Sequence, residues 1–355
     1  MYCGRGISGA VGFGMGNSLT QTKLQPTKRS AIHLLDYIIV LRPTLLLPVW
    51  TLVLLGYYGA LSDTSTYEGL RAVQLSFLPK FNILVRPNHE LLGTLCLYSM
   101  LMGAIYIINQ ICDKETDAAN NKLFLVAQGH VKIRLLVLEA GMLLVSAVVW
   151  AGFWFRNNLS YLVLIGLSIL LGVVYSIRPV RLKGRPFLDL LANAAGYGGI
   201  AFLIGWGLAA PMNGEALRRI IPYALCVGAA FVNTTLPDLN GDNEFGDRTT
   251  GVMLGAKLSC LLSLVLLVGA ILAAWWVKDM IPLFTALLCL PPFIYMNFRR
   301  ERRVIIFAAR AGILILSLIA CVLAPFYIIL LAGSLIFVRW YYSVRFGITY
   351  PGREA

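Results

Sequence analysis

Residues 91–117 read LLGTLCLYSMLMGAIYIINQICDKETD, an apolar run followed directly by acidic residues. The first part, Leu91–Ile111, carries no charge and is long enough to cross a bilayer, which takes about 20 apolar residues in a helix. Acids follow at once, at Asp113, Glu115 and Asp117. The stretch therefore predicts a membrane-spanning helix that ends in an acidic segment at the membrane surface.

The whole chain has the composition of a membrane protein. Of its 355 residues, 58% are hydrophobic and 13% are charged, whereas an ordinary soluble domain is about 25% charged. A net charge of +13 would suggest a nucleic-acid partner in a soluble protein. Here we expect no nucleic acid, because basic residues of membrane proteins set the topology and contact anionic lipid headgroups.

Apolar segments of spanning length recur along the chain, so we predict an all-α, polytopic transmembrane bundle of nine to ten helices. The segments are Asp36–Ala60, Leu91–Ile111, Ile133–Phe153, Leu159–Ile177, Phe187–Ala209, Ile220–Pro237, Leu258–Val277, Ile281–Phe298, Val304–Ala324 and Phe326–Tyr342. The last two form one long apolar run, in which Pro325 is the predicted break. Residues 31–345 are predicted to be the transmembrane domain, between a disordered cytoplasmic tail at 1–30 and a C-terminal tail at 346–355.

The distribution of Lys and Arg favours ten spans over nine. If the N-terminus lies in the cytoplasm and every segment crosses, basic residues fall on the inner side by roughly three to one, as the positive-inside rule requires. Ten crossings also put the basic C-terminal tail inside. We therefore predict an integral, multi-pass membrane protein whose N-terminus and acidic loops are cytoplasmic, in the cell membrane if the source is bacterial or archaeal.

Two predicted inner loops are unusually acidic for a chain with only 17 Asp and Glu residues. Asn109, Asp113 and Asp117 are four residues apart, so on a helix they share one face. Asp238 and Asp242 repeat that spacing. Carboxylate and amide oxygens bind hard ions such as Mg²⁺, which keeps waters and shares a substrate phosphate. Solvated acidic loops are the alternative, but two matched sets at a membrane boundary favour a metal site.

Basic residues near these acids could bind phosphate. In the inner loop 175–185, Lys183 and Arg181 are the candidates to hold phosphate oxygens, whereas the other arginines fit a topology-setting role. Arg42 lies inside the first predicted span, where a charge is costly and normally faces a polar cavity. Its alternative is to extend to the near interface. Acids, Mg²⁺ and cations in front of an apolar bundle suit a diphosphate with a long apolar tail.

At these residues the chain resembles the UbiA superfamily of intramembrane prenyltransferases. An Asn-x3-Asp-x3-Asp motif follows the second helix of that family, and an Asp-x3-Asp motif follows the sixth. The matching positions, including those in the Arg-Pro, Tyr-Ser-x-x-Pro-x-Arg-Leu-Lys and Gly-x-Arg-Thr phrases, are Arg42, Pro43, Asn109, Asp113, Asp117, Tyr175, Arg181, Lys183, Asp238, Asp242 and Arg248.

The resemblance implies a helical bundle of two pseudo-repeats around a central cavity. It implies that two Mg²⁺ ions hold a prenyl diphosphate on Asn109, Asp113, Asp117, Asp238 and Asp242. Lys183, Arg181 and Arg42 would contact phosphate or acceptor, and Tyr175 would line the reacting end. Arg248 is assigned to substrate binding. The allylic C–O bond would break, and a nucleophilic acceptor would attack the resulting carbocation-like carbon.

The chain departs from the family pattern in two places. After the first motif many relatives carry Asn-x3-Arg-Pro, which this chain lacks. Either Lys122 supplies the missing cation and binds substrate, or the acceptor differs. The tenth predicted span also exceeds the nine helices that we associate with the family.

We expect an aromatic acceptor of the quinone-precursor type, because this is a common use of the fold. A glycerol-phosphate lipid, a phospho-sugar or a porphyrin remains an alternative acceptor, since a fold does not decide function. A secondary transporter is the alternative from another class, but its polar sites would lie near the bilayer midplane rather than at helix ends. A catalytically inactive lipid-binding relative is a third possibility, and it requires that the acids do not bind metal.

Overall fold

The computed structural model describes residues 32–63, 84–119 and 124–350, and every regular element in these ranges is a helix. In chain order the α-helices are α1 (Ile32–Val40), α2 (Pro43–Asp63), α3 (His89–Cys112), α4 (Lys114–Ala119), α5 (Phe124–Ala127), α6 (Ile133–Trp154), α7 (Leu159–Ser176), α8 (Leu188–Asn193), α9 (Phe202–Trp206), α10 (Gly214–Thr235), α11 (Leu239–Glu244), α12 (Thr250–Val277), α13 (Met280–Phe298), α14 (Arg302–Leu323) and α15 (Tyr327–Phe346). The predicted tail 1–30, Lys122 and the last five residues lie outside the described ranges.

Ten helical spans of the described residues are long and apolar enough to cross a membrane. The first combines α1 with α2, and the fifth combines α8, a π-helical segment at Ala194–Ala201, and α9. The sixth adds the 3₁₀ turn Leu236–Asp238 to α10. The predicted all-α bundle is confirmed, the ten candidate spans of the described residues agree with the predicted nine to ten, and the protein is an integral, multi-pass membrane protein.

The first span is interrupted, whereas the sequence predicted a continuous segment from Asp36 to Ala60. α1 ends at Val40 and α2 begins at Pro43. Proline has no N–H to donate and is tolerated in the first turn of a helix rather than inside it. The preceding residue, Arg42, adopts a left-handed conformation with φ of 53°. The break therefore sets Arg42 at a corner of the chain instead of on a helix face.

Two other helices begin earlier than their apolar segments predicted. α10 begins at Gly214 rather than Ile220, because Asn213 caps it by accepting a hydrogen bond from the Ala216 N–H at 2.8 Å. α12 begins at Thr250 rather than Leu258, where the Thr249 hydroxyl accepts from the Val252 N–H at 3.2 Å, and Gly255, with φ of 69°, interrupts its helical geometry before the predicted apolar segment. Capping side chains, rather than hydrophobicity, thus fix these ends.

The first and fifth spans touch backbone to backbone at two glycines. A Cβ atom on Gly56 would lie 1.9 Å from the Phe202 carbonyl oxygen, and one on Gly205 would lie 1.8 Å from the Val53 carbonyl oxygen. Only glycine permits this approach. The buried ring of Trp206, which directly follows Gly205 in α9, adds to the same core. This contact fixes the distance between two spans that also form walls of the site described next.

Candidate active site

The two acidic segments meet at one end of the bundle. Helix α4, which follows the second span, packs against α11, which follows the sixth. A cavity of about 1340 Å³ lies between the spans and reaches both segments. The acidic-motif residues that line it are Asn109, Asp113, Asp117, Asp238 and Asp242. Residues distant in sequence thus share one cavity.

The helical repeat of the first motif continues past the end of α3. The Asp113 N–H donates to the Asn109 carbonyl oxygen at 2.9 Å, and the Asp117 N–H donates to the Asp113 carbonyl oxygen at 2.8 Å. The three side chains consequently share a face, as their spacing predicts. The Asn109 amide also donates to Asp113 Oδ2 at 2.7 Å and to the Ser176 hydroxyl at 3.3 Å, which ties α3 to α7.

The second motif sits on a tight turn between two helices. α10 ends at Thr235, the 3₁₀ turn carries Asp238, and α11 begins at Leu239 and carries Asp242. Asp242 is buried, and its carbonyl oxygen accepts the Asp247 N–H at 2.9 Å. The turn keeps both acids of this motif on the cavity wall.

Asp113 is the most enclosed acid of the first motif, with 1% of its side chain exposed. Lys183 Nζ lies 2.6 Å from its Oδ2, and Arg181 Nη2 lies 3.1 Å from its Oδ1. A buried carboxylate is costly unless it is paired and hydrogen-bonded. Two cations from the 178–186 loop therefore neutralise the Asp113 carboxylate at the edge of the cavity.

Arg181 is held away from the cavity. Its Nε and Nη2 donate to the two carboxylate oxygens of Asp247, at 2.9 and 2.7 Å. Those hydrogen bonds, ahead of the opposing effect of burial, raise the pKa of the Arg181 guanidinium. Burial alone would raise the pKa of Asp247, yet the bonds and charge of Arg181 outweigh it and hold that pKa below its ordinary value. Of these described residues, Lys183 lines the cavity and Arg181 does not.

Arg248, which was also predicted to bind substrate, makes a backbone contact between two loops. Its backbone N–H donates to the Gly184 carbonyl oxygen at 3.2 Å, which links the loop after the sixth span to the loop after the fourth. Its side chain is exposed, and it is not among the described residues that line the cavity. The described conformation therefore gives Arg248 a structural contact rather than a place beside the acids.

Arg42 and Tyr175 do line the cavity, as their predicted roles require. Arg42 Nη2 lies 4.0 Å from Asp117 Oδ2, so the corner between α1 and α2 brings a cation to the first acidic motif. Tyr175 comes from the last turn of α7, beside the loop that carries Lys183. Much of the rest of the cavity wall is apolar or aromatic. Its members include Val49, Leu52, Tyr98, Met102, Leu171, Val227, Phe231, Phe293 and Leu316.

Sequence reasoning missed two polar contacts of this region. Asp189 is fully buried, accepts from the Thr250 N–H at 2.8 Å and bonds to the Thr250 hydroxyl, and so joins the start of the fifth span to the start of the seventh. Tyr106 and Tyr197 share a hydrogen bond of 2.8 Å on the cavity wall. An acid at a helix start gives no signal that distinguishes a buried partner from a favourable helix dipole.

Comparison with known protein families identifies the family of this chain. The model of the UbiA prenyltransferase family matches residues 83–304, which is more than half of the chain. This chain belongs to the UbiA prenyltransferase family. The match contains both acidic motifs and the Lys183 loop, while Arg42 and α15 lie outside it.

Two relatives of this UbiA-family protein are named as different enzymes. The bacteriochlorophyll synthase 34 kDa chain of Chloroflexus aurantiacus is 26% identical over 173 residues, which cover 48% of this chain and 54% of that protein. The homogentisate phytyltransferase of Synechocystis is 28% identical over 202 residues, 53% of this chain and 64% of that protein. This chain thus spans between half and two thirds of the length of these relatives.

A solved structure shares the UbiA fold. The UbiA homolog of Archaeoglobus fulgidus bound to GPP and Mg²⁺ superposes with a TM-score of 0.58 at 16% identity, and the match covers 81% of this chain and 99% of that one. The shared fold agrees with the bundle around a cavity that the resemblance implied.

The acidic residues of the cavity in this UbiA-family protein are compatible with Mg²⁺ that is shared with a substrate phosphate. Among the residues that the structure describes, no three His, Cys, Asp or Glu side chains form a group that could enclose an ion by themselves. Mg²⁺, however, commonly keeps several waters and binds one or two carboxylates together with substrate phosphates. Acids on two sides of one cavity offer that arrangement. The donor set therefore fits an ion that is shared with a phosphorylated ligand.

Proposed function

We propose that this protein transfers a prenyl chain from its diphosphate to an aromatic acceptor of the quinone-precursor type, in a Mg²⁺-dependent reaction within the membrane. One observation carries the proposal: acidic motifs from the second and sixth spans face one large cavity whose remaining wall is largely apolar or aromatic. The acids and cations match a diphosphate, and the apolar wall matches an isoprenoid chain.

The diphosphate end would bind at the acidic motifs. Asn109, Asp113, Asp117, Asp238 and Asp242 would hold the Mg²⁺ ions, which supply positive charge to the departing diphosphate when they are bound. Lys183 is the cation best suited to a phosphate oxygen, because it already lies on the cavity wall next to Asp113. Arg42 lies on the side of Asp117, where it would contact the acceptor rather than the diphosphate.

Lys183 would act by exchanging partners. It bonds to Asp113 at 2.6 Å in the described conformation. If Asp113 held a metal ion, the ammonium group of Lys183 would be free to donate to a phosphate oxygen instead. Arg181 would stay on Asp247, since a bidentate guanidinium–carboxylate pair is strong and directional. The carboxylates would thus remain oriented while the diphosphate binds.

Transfer requires one bond to break and one to form. The allylic C–O bond breaks, and its electron pair leaves with the diphosphate. The acceptor then supplies the electron pair of the new bond to the allylic carbon and loses a proton to solvent. The apolar wall would exclude water from the positive carbon, and the faces of Tyr98, Tyr106 and Tyr197 offer it cation–π stabilisation.

A transfer assay tests the proposal. Purified protein would receive labelled GPP and MgCl₂ with homogentisate, a porphyrin acid, a glycerol-phosphate lipid or a phospho-sugar. We expect transfer to homogentisate that stops when EDTA is added. Transfer to none of these acceptors would contradict the enzymatic proposal, and transfer only to a non-aromatic acceptor would contradict the aromatic one. Uptake of labelled GPP into vesicles that persists in Asp113→Ala would support a transporter instead.

A further inference from the structure

The chain turns back toward the cavity after the tenth span. α15 ends at Phe346, and Gly347 follows in a left-handed conformation with φ of 70°. The Gly347 N–H donates to the Ser343 carbonyl oxygen at 3.0 Å, and the Ile348 N–H donates to the Tyr342 carbonyl oxygen at 3.4 Å. This helix cap reverses the chain. As a result Ile348 and the two residues after it line the same cavity as the acidic motifs.

Two tyrosines form an aromatic wall beside Arg42. The rings of Tyr342 and Tyr350 have centroids 4.5 Å apart and are tilted by 43°. Both line the main cavity together with Arg42. All three also line a side pocket of about 90 Å³ at the break between α1 and α2. The wall therefore combines aromatic faces with a guanidinium group that points toward the first acidic motif.

The base of this wall is rigid. Arg345 and Asp36 form an ion pair of 3.2 Å in which each side chain is 1% exposed. The Tyr341 hydroxyl donates to the same carboxylate, and the Phe346 ring lies 5.4 Å from the ring of His130. These contacts anchor α15 to α1 and to the segment before α6. These contacts hold Tyr342, on the same helix, at the cavity, and Tyr350 packs against its ring.

We propose that Tyr342 and Tyr350 bind the ring of the acceptor, with Arg42 contacting its acidic or hydroxyl substituent, and that Tyr350 determines acceptor specificity. This inference rests on the proposed prenyl transfer. Aromatic rings prefer offset or edge-on partners at such distances, so a planar acceptor could pack on the exposed part of the wall. The match to the family ends at residue 304, so Tyr342 and Tyr350 lie outside the matched region.

Three full-length variants test the wall: Tyr350→Ala, Tyr350→Phe and, as the control, Trp340→Ala. Trp340 lies on α15, is 48% exposed, and is not among the described cavity residues. With GPP as donor and homogentisate as acceptor, Tyr350→Ala should raise KM for homogentisate about fivefold, the loss expected for one aromatic contact. Its kcat and its KM for GPP should stay within about twofold of wild type. Tyr350→Phe should restore acceptor KM, because the ring is kept.

Equilibrium binding of homogentisate to the same variants separates this proposal from the proposed function. We expect Tyr350→Ala to weaken binding and Trp340→Ala to leave it unchanged, even if no transfer occurs. Absent transfer with intact, Tyr350-dependent binding would overturn the enzymatic proposal alone. Unchanged KM and binding in Tyr350→Ala would overturn the wall. A fall in Tm with equal losses in every kinetic constant would also overturn it, since that pattern indicates a structural role.

Discussion

Arg181 holds Asp247 through two hydrogen bonds and lies 3.1 Å from Asp113, so one guanidinium joins three separate parts of the chain. Asp113 ends the second span, Arg181 follows the fourth, and Asp247 follows the sixth. The Arg248 N–H reinforces the junction by donating to the Gly184 carbonyl oxygen. The two acidic motifs are therefore connected through protein groups as well as through a shared cavity.

Asp247→Asn should loosen this junction. The change removes a charged acceptor from a pair whose side chains are 11% and 6% exposed, so we expect the protein to lose about 2 kcal/mol of stability. Thermal unfolding in detergent would measure the loss. Glu244→Gln is the matched control, because Glu244 is exposed on neighbouring α11 and should change stability by less than about 0.5 kcal/mol. Equal effects of the two changes would show that the Arg181–Asp247 pair is unimportant.

The same pair predicts a pH dependence. The pKa of Asp247 is lowered in the folded protein, so its contribution to stability is complete above the unfolded value of about 3.9. It is lost as the pH falls through the lowered folded-state pKa. The difference in Tm between wild type and Asp247→Asn should therefore vary by no more than about one degree from pH 6 to pH 9. It should shrink only in acid. A difference that titrates near neutral pH would contradict this assignment.

Lys183→Met should weaken binding of the prenyl diphosphate. A charge-assisted hydrogen bond to phosphate typically contributes enough to raise KM for GPP by about tenfold or more when it is lost. Lys183→Arg should keep part of the affinity. Arg178→Met is the control, because this arginine lies in the same loop, is exposed, and is not among the described cavity residues. A similar rise in KM for both methionine variants would indicate a general charge effect rather than a contact by Lys183.

Gly205→Ala should destabilise the bundle. Its Cβ would lie 1.8 Å from the Val53 carbonyl oxygen, so α2 and α9 would have to separate, and overpacking of this kind costs about 1–3 kcal/mol or more. Gly166→Ala in α7 is the control, since its Cβ would meet no described atom within 4 Å. Alanine should there leave Tm unchanged or raise it slightly. Equal Tm values for the two variants would contradict the close packing of the first and fifth spans.

Much of this fold could be predicted from local sequence. Apolar length predicts nine to ten spans, because each must cross the same hydrocarbon thickness, and the distribution of Lys and Arg favours ten. Pro325 correctly predicts the break between the last two, since α14 ends at Leu323 and α15 begins at Tyr327. Residues spaced by four share a face on any helix, which is why the side chains of Asn109, Asp113 and Asp117 could be grouped before their position was known.

Features that depend on contacts between distant segments could not be predicted. Nothing in the phrase around Arg181 distinguishes a phosphate ligand from a partner of Asp247. The buried bond between Asp189 and Thr250 links residues 61 positions apart. The return of Tyr350 to the cavity depends on the anchoring of α15 by Asp36 at the other end of the chain. Such pairings follow from packing, which a single sequence does not display.

If both acidic motifs hold one diphosphate through Mg²⁺, binding of GPP must depend on the Mg²⁺ concentration and on both motifs. The measurement would compare wild type, Asp113→Asn, Asp238→Asn and the double variant. Glu115→Gln serves as the control, because Glu115 is exposed near the first motif. We predict Mg²⁺-dependent binding that either single change abolishes, with no further loss in the double variant and none in Glu115→Gln. Binding of GPP that does not depend on Mg²⁺, or that persists in both single variants, would contradict a magnesium site shared by the two motifs.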